Sequence, residues 1–562
     1  MNVNQQQSTV TGICRLGLPV GDLPVDALPV VPTTMLLPAW LALDYPVNDE
    51  MTLPAAIPSR SPHVGPLMAN AVGLTDVAVM AIATCAPITS MAGNLPLVIG
   101  LGSGLYAPGA FVFCTIIMTI FAVGYNAISR HITTAGAFYG YVSHGLGQSV
   151  GLSAGLLACL AYMVFEISLI GIFAYFVQQF LLAEFGILIG WLTPALVMLG
   201  LNWLFAYYRI NIAAKILAVF LALEVLSLLT VVIASLLLNK DQSYHLQALN
   251  PLGAFQSTQG GAASFGLFMA FWSWVGFETT GMYGEESREP KRIVPRATMI
   301  AVVGVGLLYV LVAWAAIVGN GLGQSIAITQ GANPIDLLLN PLRLRFGDWI
   351  ATIFQLLTIT GSFACGLAFH NCAARYLYAI GREGVLFRSD RWLGKTHPVY
   401  RSPYIASSLQ TVFGLALLLL FKFDSNLGPY DFYALLAVIG VMAILIVQAA
   451  CSVAVIGYFW FARRDQFRLW QTCIAPAIGA CSMSFVVYLL FIHMDSIVGI
   501  KLAASGLYYA TPWIVFGLAG FGLLVALLIK MLAPNRHVLL GRLVLEDIVA
   551  ADPAIARQIA AE

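Results

Sequence analysis

Ala86-Pro87-Ile88-Thr89-Ser90-Met91-Ala92-Gly93 and Phe271-Trp272-Ser273-Trp274-Val275-Gly276-Phe277-Glu278 each interrupt an otherwise apolar run. Pro87 removes a backbone donor and its ring clashes with the preceding turn. In the second stretch a glycine and a carboxylate stand inside apolar sequence. Either break alone reads as a kink or a packing glycine. Working outward, apolar runs separated by Gly, Pro or charged loops predict twelve spans, at 73–102, 108–128, 150–182, 186–207, 211–238, 261–284, 296–320, 348–380, 403–422, 432–461, 470–493 and 511–532. The breaks then fall in spans one and six, so the first ten spans divide five plus five with an interruption at the same place in each half. That is the pattern of an inverted repeat with discontinuous helices. An unwound segment in lipid exposes N–H and C=O groups that must be satisfied. A half-helix amino terminus attracts a carboxylate and freed carbonyls attract an ammonium. A small zwitterion fits such a pair, and Pro87, Thr89, Ser90, Ala92, Gly93, Trp272, Val275 and Gly276 are expected substrate contacts.

Composition agrees with an all-α polytopic membrane protein. Only 9% of the 562 residues are charged and 60% are hydrophobic, where a soluble domain has roughly 25% and 45–50%. A net charge of +1 without a basic cluster argues against nucleic acid as a partner. The nine cysteines lie mostly in apolar runs with no CxxC, so they read as small core residues rather than disulfides or metal ligands. The first 70 residues hold ten prolines and no h-region. Two readings stand for 1–70: a poorly ordered tail, or a start at Met51 or Met68. The expected transmembrane domain is 71–532, with a tail at 533–562. With a cytoplasmic amino terminus, only Lys240, Arg343, Arg345, Lys422 and Lys501 of the 27 basic residues fall outside, which places both termini in the cytoplasm.

Three motifs carry a family resemblance. Ala137-Phe138-Tyr139-Gly140-Tyr141-Val142-Ser143-His144-Gly145-Leu146-Gly147 resembles the GAFYxYVSxGLG signature of the amino acid, polyamine and organocation transporter superfamily. Gly276-Phe277-Glu278, then Glu285-Glu286-Ser287-Arg288-Glu289-Pro290-Lys291-Arg292-Ile293-Val294-Pro295-Arg296-Ala297, is similar to its sixth-span GFE, EE, NPKR and IPRA series. The stretch from His370 to Gly384, HNCAARYLYAIGREG, resembles the end of its eighth span. The resemblance covers about residues 70–530. It implies the inverted-repeat fold of the sodium-coupled leucine transporter plus two extra carboxyl-terminal helices, in a cell membrane. Many members have GSG at the first break; this chain is closer to a subset with an APLTxxAG-like break, so the backbone of the carboxylate site carries over and its side chains do not.

A charge at the bilayer centre costs ~2.5–3.5 kcal/mol on insertion scales, which makes each one a functional candidate. They are Asp76, Glu166, Lys215, Glu224, Glu278 and His370. Asp76 reads as a solvated or capping residue. Lys215 is a snorkelling lysine or, by the resemblance, an ammonium standing where relatives hold sodium. Glu224, nine residues on, faces the opposite side of the helix ~13.5 Å further along, so it needs a partner on another helix or a proton. Glu278 is a proton carrier or a clamp on the unwound segment. His370 is a proton carrier or a core histidine. Lys215, Glu278 and His370 are therefore the coupling candidates, and Trp272 and Phe369 the gates that the resemblance implies. Family members usually have a neutral residue where Glu166 stands in the third span. A carboxylate there needs a cation unless it is protonated, which predicts a substrate with an extra positive group.

These features point to a secondary transporter with protons as the expected drive, since one charge across ~150 mV supplies ~3.5 kcal/mol. An amino acid or polyamine exchanger is the second reading. No cofactor is expected. An enzyme is disfavoured: Gly147-Gln148-Ser149-Val150-Gly151 matches GxSxG but joins two expected helices, where the elbow needs a strand before it. No HExxH or Walker sequence appears. A channel is disfavoured because filter loops or repeated rings are missing.

Overall fold

The computed structural model describes residues 71–207, 210–239, 244–256, 262–384, 389–400, 402–422, 428–494, 506–538 and 540–541, with the side chains of 210–217 and 390 outside the description. The proline-rich stretch 1–70 and most of 533–562 therefore lie outside it. The described chain is helical, with one isolated parallel bridge between Val72 and Ser287.

In chain order the helices are α1 (Leu74–Cys85), α2 (Pro87–Val98), α3 (Ala107–Ser129), α4 (Phe138–Leu146), α5 (Gln148–Phe185), α6 (Leu192–Ala206), α7 (Ile210–Leu238) and α8 (Ala263–Trp272). A 3₁₀ stretch, Phe277–Glu286, leads into α9 (Pro290–Asn320), α10 (Leu322–Thr329), α11 (Asp336–Phe346), α12 (Asp348–Arg382), α13 (Tyr404–Lys422) and α14 (Pro429–Gly457). The remainder is α15 (Ala475–Ile492), α16 (Gly506–Leu532) and the single turn α17 (Pro534–His537).

Nine helical stretches among the described residues are long and apolar enough to cross a membrane. The difference from twelve has three local causes. The first stretch, Leu74–Ser129, runs two expected spans together across a bend, where Gly102 is non-helical and Gly104 has φ 52°. The expected fourth span is only the 15 residues of α6, about 22 Å at 1.5 Å per residue. The sixth is interrupted, with α8 ending at Trp272 and 3₁₀ backbone beyond.

Burial follows position in the bundle. α5 packs against α12, α14, α16 and α4, and its residues from Gly151 to Phe176 are mostly buried. α16 lies at the edge, with Trp513, Phe516 and Leu532 exposed, an apolar outer surface that suits lipid rather than water.

The end of the described chain folds back on the bundle. Leu540 is fully buried, His537 Nε2 lies 2.9 Å from Ser149 Oγ, and Gly541 N donates to Glu383 Oε1 at 2.7 Å. Tyr139 Oη donates to the other Glu383 oxygen at 2.5 Å. Burial pushes the Glu383 carboxyl up to about 8, while burial and Lys530 push His537 down. A raised acid contributes docking stability at low pH that is lost as pH rises toward 8; a lowered histidine loses its contribution below its ordinary value near 6.5. Between about pH 6.5 and 8 only Glu383 acts, so docking should weaken as pH rises. A spin label on Arg536→Cys should become more mobile across that window, and Glu383→Gln should remove the trend.

Candidate functional site

The first break is built by Pro87. Without an N–H it cannot continue α1, and Ala86 between the half-helices is left-handed, φ 46° and ψ 73°, a conformation that costs a non-glycine residue energy and is held by its surroundings. Helix ends leave carbonyls and N–H groups without intrahelical partners. Here side chains take the carbonyls: Cys365 Sγ donates to Thr84 O at 3.3 Å, and Tyr309 Oη and Ser90 Oγ each donate to Cys85 O at 2.8 Å. On the α2 side, Ile88 N approaches Glu224 Oε2 at 3.5 Å. The buried Thr89 hydroxyl has no hydrogen-bond partner among the described residues.

At the second break α8 gives way to a turn ending at Gly276, whose φ of 124° only glycine adopts readily. Glu278 holds this turn. Its Oε2 accepts from Gly276 N at 3.0 Å and its Oε1 from Tyr162 Oη at 2.7 Å, while Tyr125 Oη donates to its backbone carbonyl at 2.6 Å. The ten-residue 3₁₀ stretch that follows is unusually long for that helix type. It is tied to α12 by buried ion pairs, Glu285 with Arg382 at 2.8 Å and Glu286 with Arg375 at 3.0 Å.

The two breaks meet. A Cβ on Gly276 would lie 2.7 Å from the Thr84 carbonyl carbon and 2.8 Å from Cys85 N, and Cys85 Sγ donates to Trp274 O at 3.5 Å. Further along α2, Asn94 Nδ2 donates to Ser273 Oγ at 3.0 Å and Asn94 Oδ1 accepts from Tyr433 Oη at 2.5 Å. Tyr430 Oη donates to Gly93 O at 2.9 Å. Trp272, only 5% exposed, stacks on Phe165 at 6.1 Å and meets Tyr433 at 4.6 Å. Phe369 packs on Phe165 at 5.4 Å and Tyr162 at 5.8 Å. Pro87, Thr89, Ser90, Ala92, Gly93, Val275 and Gly276 are all buried around the same junction.

Glu166 and His370 form a separate cluster. His370 Nδ1 lies 2.8 Å from Glu166 Oε1 and its Nε2 2.7 Å from Ser407 Oγ. Asn202 Nδ2 donates to Glu166 Oε1 at 3.2 Å and Gln410 Nε2 to Oε2 at 2.5 Å. These groups come from α5, α6, α12 and α13, and both Glu166 and His370 are fully buried. Asp76 caps α1, accepting from Gly73 N at 2.9 Å. Lys215 lies in α7, but its side chain is outside the described residues.

The sequence offers no reason to assign a role to Asn94, Ser273, Tyr162, Tyr309, Tyr430 or Tyr433. Their signal was present but weak: a polar or hydroxylated side chain inside an apolar run, which among 22 tyrosines does not single one out.

A family model described as amino acid permease matches residues 72–521. The chain is 23% identical over 449 residues to the low-affinity putrescine importer PlaP of Escherichia coli, covering 78% of this chain and 92% of the relative. It is 23% identical over 415 residues to the branched-chain amino acid permease BcaP of Bacillus subtilis, covering 70% and 82%. The similarity to BcaP of Lactococcus lactis is 24% over 304 residues, covering 51% and 62%.

Proposed function

The chain belongs to the amino acid permease family, and from that premise we propose that it is a secondary transporter moving amino acids or related amines across the cell membrane by alternating access, as a proton-coupled importer. The observation that carries this reading is the crossing of the two helix breaks, where Gly276 stands against the backbone of Thr84 and Cys85, just before the start of α2 at Pro87. A half-helix amino terminus suits a carboxylate.

In this reading the substrate lies against Pro87, Thr89, Ser90, Ala92 and Gly93 on one side and Trp272, Val275 and Gly276 on the other, with Trp272 and Phe369 as aromatic gates. Glu278 is the clamp on the second break, because both its oxygens already accept hydrogen bonds. Glu166 and His370 hold each other and stand outside the substrate contacts. Counting Leu74–Ser129 as two spans, α6 as a short one and the interrupted 263–286 as another restores twelve spans in a five-plus-five repeat with two more. Both termini are then cytoplasmic. Cysteines introduced at Lys240 or Lys501 should react with an impermeant thiol reagent from outside intact cells while one at Arg464 does not; the reverse pattern would overturn the orientation.

The functional test is uptake by purified protein in liposomes, with putrescine and L-leucine as first probes because relatives carry a diamine and branched-chain amino acids. Saturable uptake of one of them, driven above equilibrium by an inward proton gradient, is expected. Non-saturable, gradient-independent flux across a panel of amino acids and amines would defeat the reading.

A further inference from the structure

We propose that Glu224 binds the proton that is coupled to transport, a step that rests on the reading of this chain as a proton-driven carrier. Glu224 sits at the middle of α7 and is 3% exposed. Among the described buried carboxylates it is the poorest in partners. Glu166 accepts from Asn202 and Gln410 and faces His370, Glu278 accepts from Tyr162 and Gly276, and Glu285 and Glu286 each face an arginine. Among the described residues the Glu224 carboxylate accepts one hydrogen bond, from Ile88 N at 3.5 Å, and no basic side chain forms an ion pair with it. Lys215 is nine residues away, ~13.5 Å along the helix and on the opposite face.

Its place gives it leverage. Pro87 has no N–H, so Ile88 supplies the first N–H of α2, and Glu224 approaches the first break there. The other carboxylate oxygen lies against α12 where Gly361 has no side chain; a Cβ there would come within 2.9 Å of Glu224 Oε1. Among the described residues the titratable groups that interact with it are Tyr309 from α9 and Cys365 from α12, with Cys85 of α1 beside both of those. None of them carries positive charge. α2 contains no ionisable residue; on α11, Asp336 and Arg343 pair with each other and Arg345 is exposed.

A buried carboxylate with only a helix terminus for company lacks the compensating charge it needs. A metal ion requires a cage of several oxygens, and the nearby carbonyls of Thr84 and Cys85 already accept from Cys365, Tyr309 and Ser90. A proton needs no cage. Ionised, Glu224 is an acceptor for the Ile88 N–H and holds α7 to the break; protonated, its oxygen releases that N–H to a substrate carboxylate or to a rearranged α2. Proton binding and substrate binding then act on the same backbone group, which is what coupling between two sites requires.

The test uses the whole protein in liposomes with whichever of putrescine or L-leucine the wild type transports, read by counterflow without a gradient and by uptake under an inward proton gradient. Glu224→Gln should retain counterflow, lose its pH dependence between pH 5.5 and 8.5, and fail to accumulate substrate above equilibrium. Glu224→Asp, which keeps a titratable group at shorter reach, should retain both activities with a shifted pH midpoint. Gradient-driven accumulation by Glu224→Gln would overturn the proposal. So would a Glu224→Gln protein silent in both assays while Glu224→Asp keeps the wild-type pH profile, or, where the wild type transports both probes, loss of counterflow for putrescine but not for L-leucine, which would make the carboxylate a substrate amine ligand. A wild type that shows counterflow but ignores the proton gradient would instead defeat the proton-coupled reading itself.

Discussion

Glu166→Ala should destabilise the protein by about 3–5 kcal/mol, the cost of leaving several buried polar groups without their acceptor. The carboxylate is where four helices converge: α5 supplies it, α6 brings Asn202, α12 brings His370 and α13 brings Gln410, with Ser407 behind the histidine. Its removal leaves three polar groups without an acceptor in a fully buried place, each worth about 1–3 kcal/mol when unsatisfied. Glu166→Gln keeps the shape and one acceptor oxygen and should cost about 1 kcal/mol, the net worth of one hydrogen bond. Thermal unfolding in detergent, compared with His370→Ala and the double variant, measures the coupling between the two residues. The same variants test the expectation that Glu166 meets a positive group on the substrate. If Glu166→Gln weakens putrescine more than tenfold while unfolding is unchanged, the carboxylate belongs to the substrate path; unchanged affinity with lowered stability assigns it to the helix junction.

The breaks were legible in the sequence because their causes are local. Pro87 cannot donate and Gly276 can take a positive φ, and both properties belong to one residue. The partners were not legible, because they come from far along the chain: Tyr309 reaches Cys85 across 224 positions, Tyr433 reaches Asn94 across 339, and Gln410 reaches Glu166 across 244. Glu166 and His370 were each conspicuous as ionisable residues in apolar sequence, yet nothing in either span says that they face each other. Helix periodicity alone separated Glu224 from Lys215. That its carboxylate ends beside Ile88 is a fact of tertiary packing. The 3₁₀ form of 277–286 was likewise not read from the sequence; its ties are the Glu285 and Glu286 ion pairs to arginines 97 and 89 positions on. Those same four residues belong to the motifs through which the family resemblance was seen, so the recognisable signature of the chain is largely what holds its sixth-span break in place.

Gly276→Ala should abolish transport while leaving most of the helical bundle intact. Two costs fall on one methyl group. At φ 124° a side chain is strained by about 1–3 kcal/mol, and the added carbon would stand 2.7 Å from Thr84 C and 2.8 Å from Cys85 N. Those are backbone atoms of the facing break, so no rotamer change relieves the contact and overpacking adds about 1–3 kcal/mol. The combined strain is placed where the two interrupted helices touch, and relieving it means parting them, which separates the N–H groups of α2 from the segment that carries Trp272 and Val275. Uptake in liposomes at matched protein content should fall to background, with helical content by circular dichroism unchanged. Gly304→Ala is the matched control: Gly304 lies within α9 with open space at its Cβ position and no positive φ, so alanine there should be neutral or stabilise by up to about 1 kcal/mol and leave uptake at the wild-type rate. Normal uptake by Gly276→Ala would mean that the two breaks can separate by the width of a methyl group without consequence, and the crossing would then not be the substrate site.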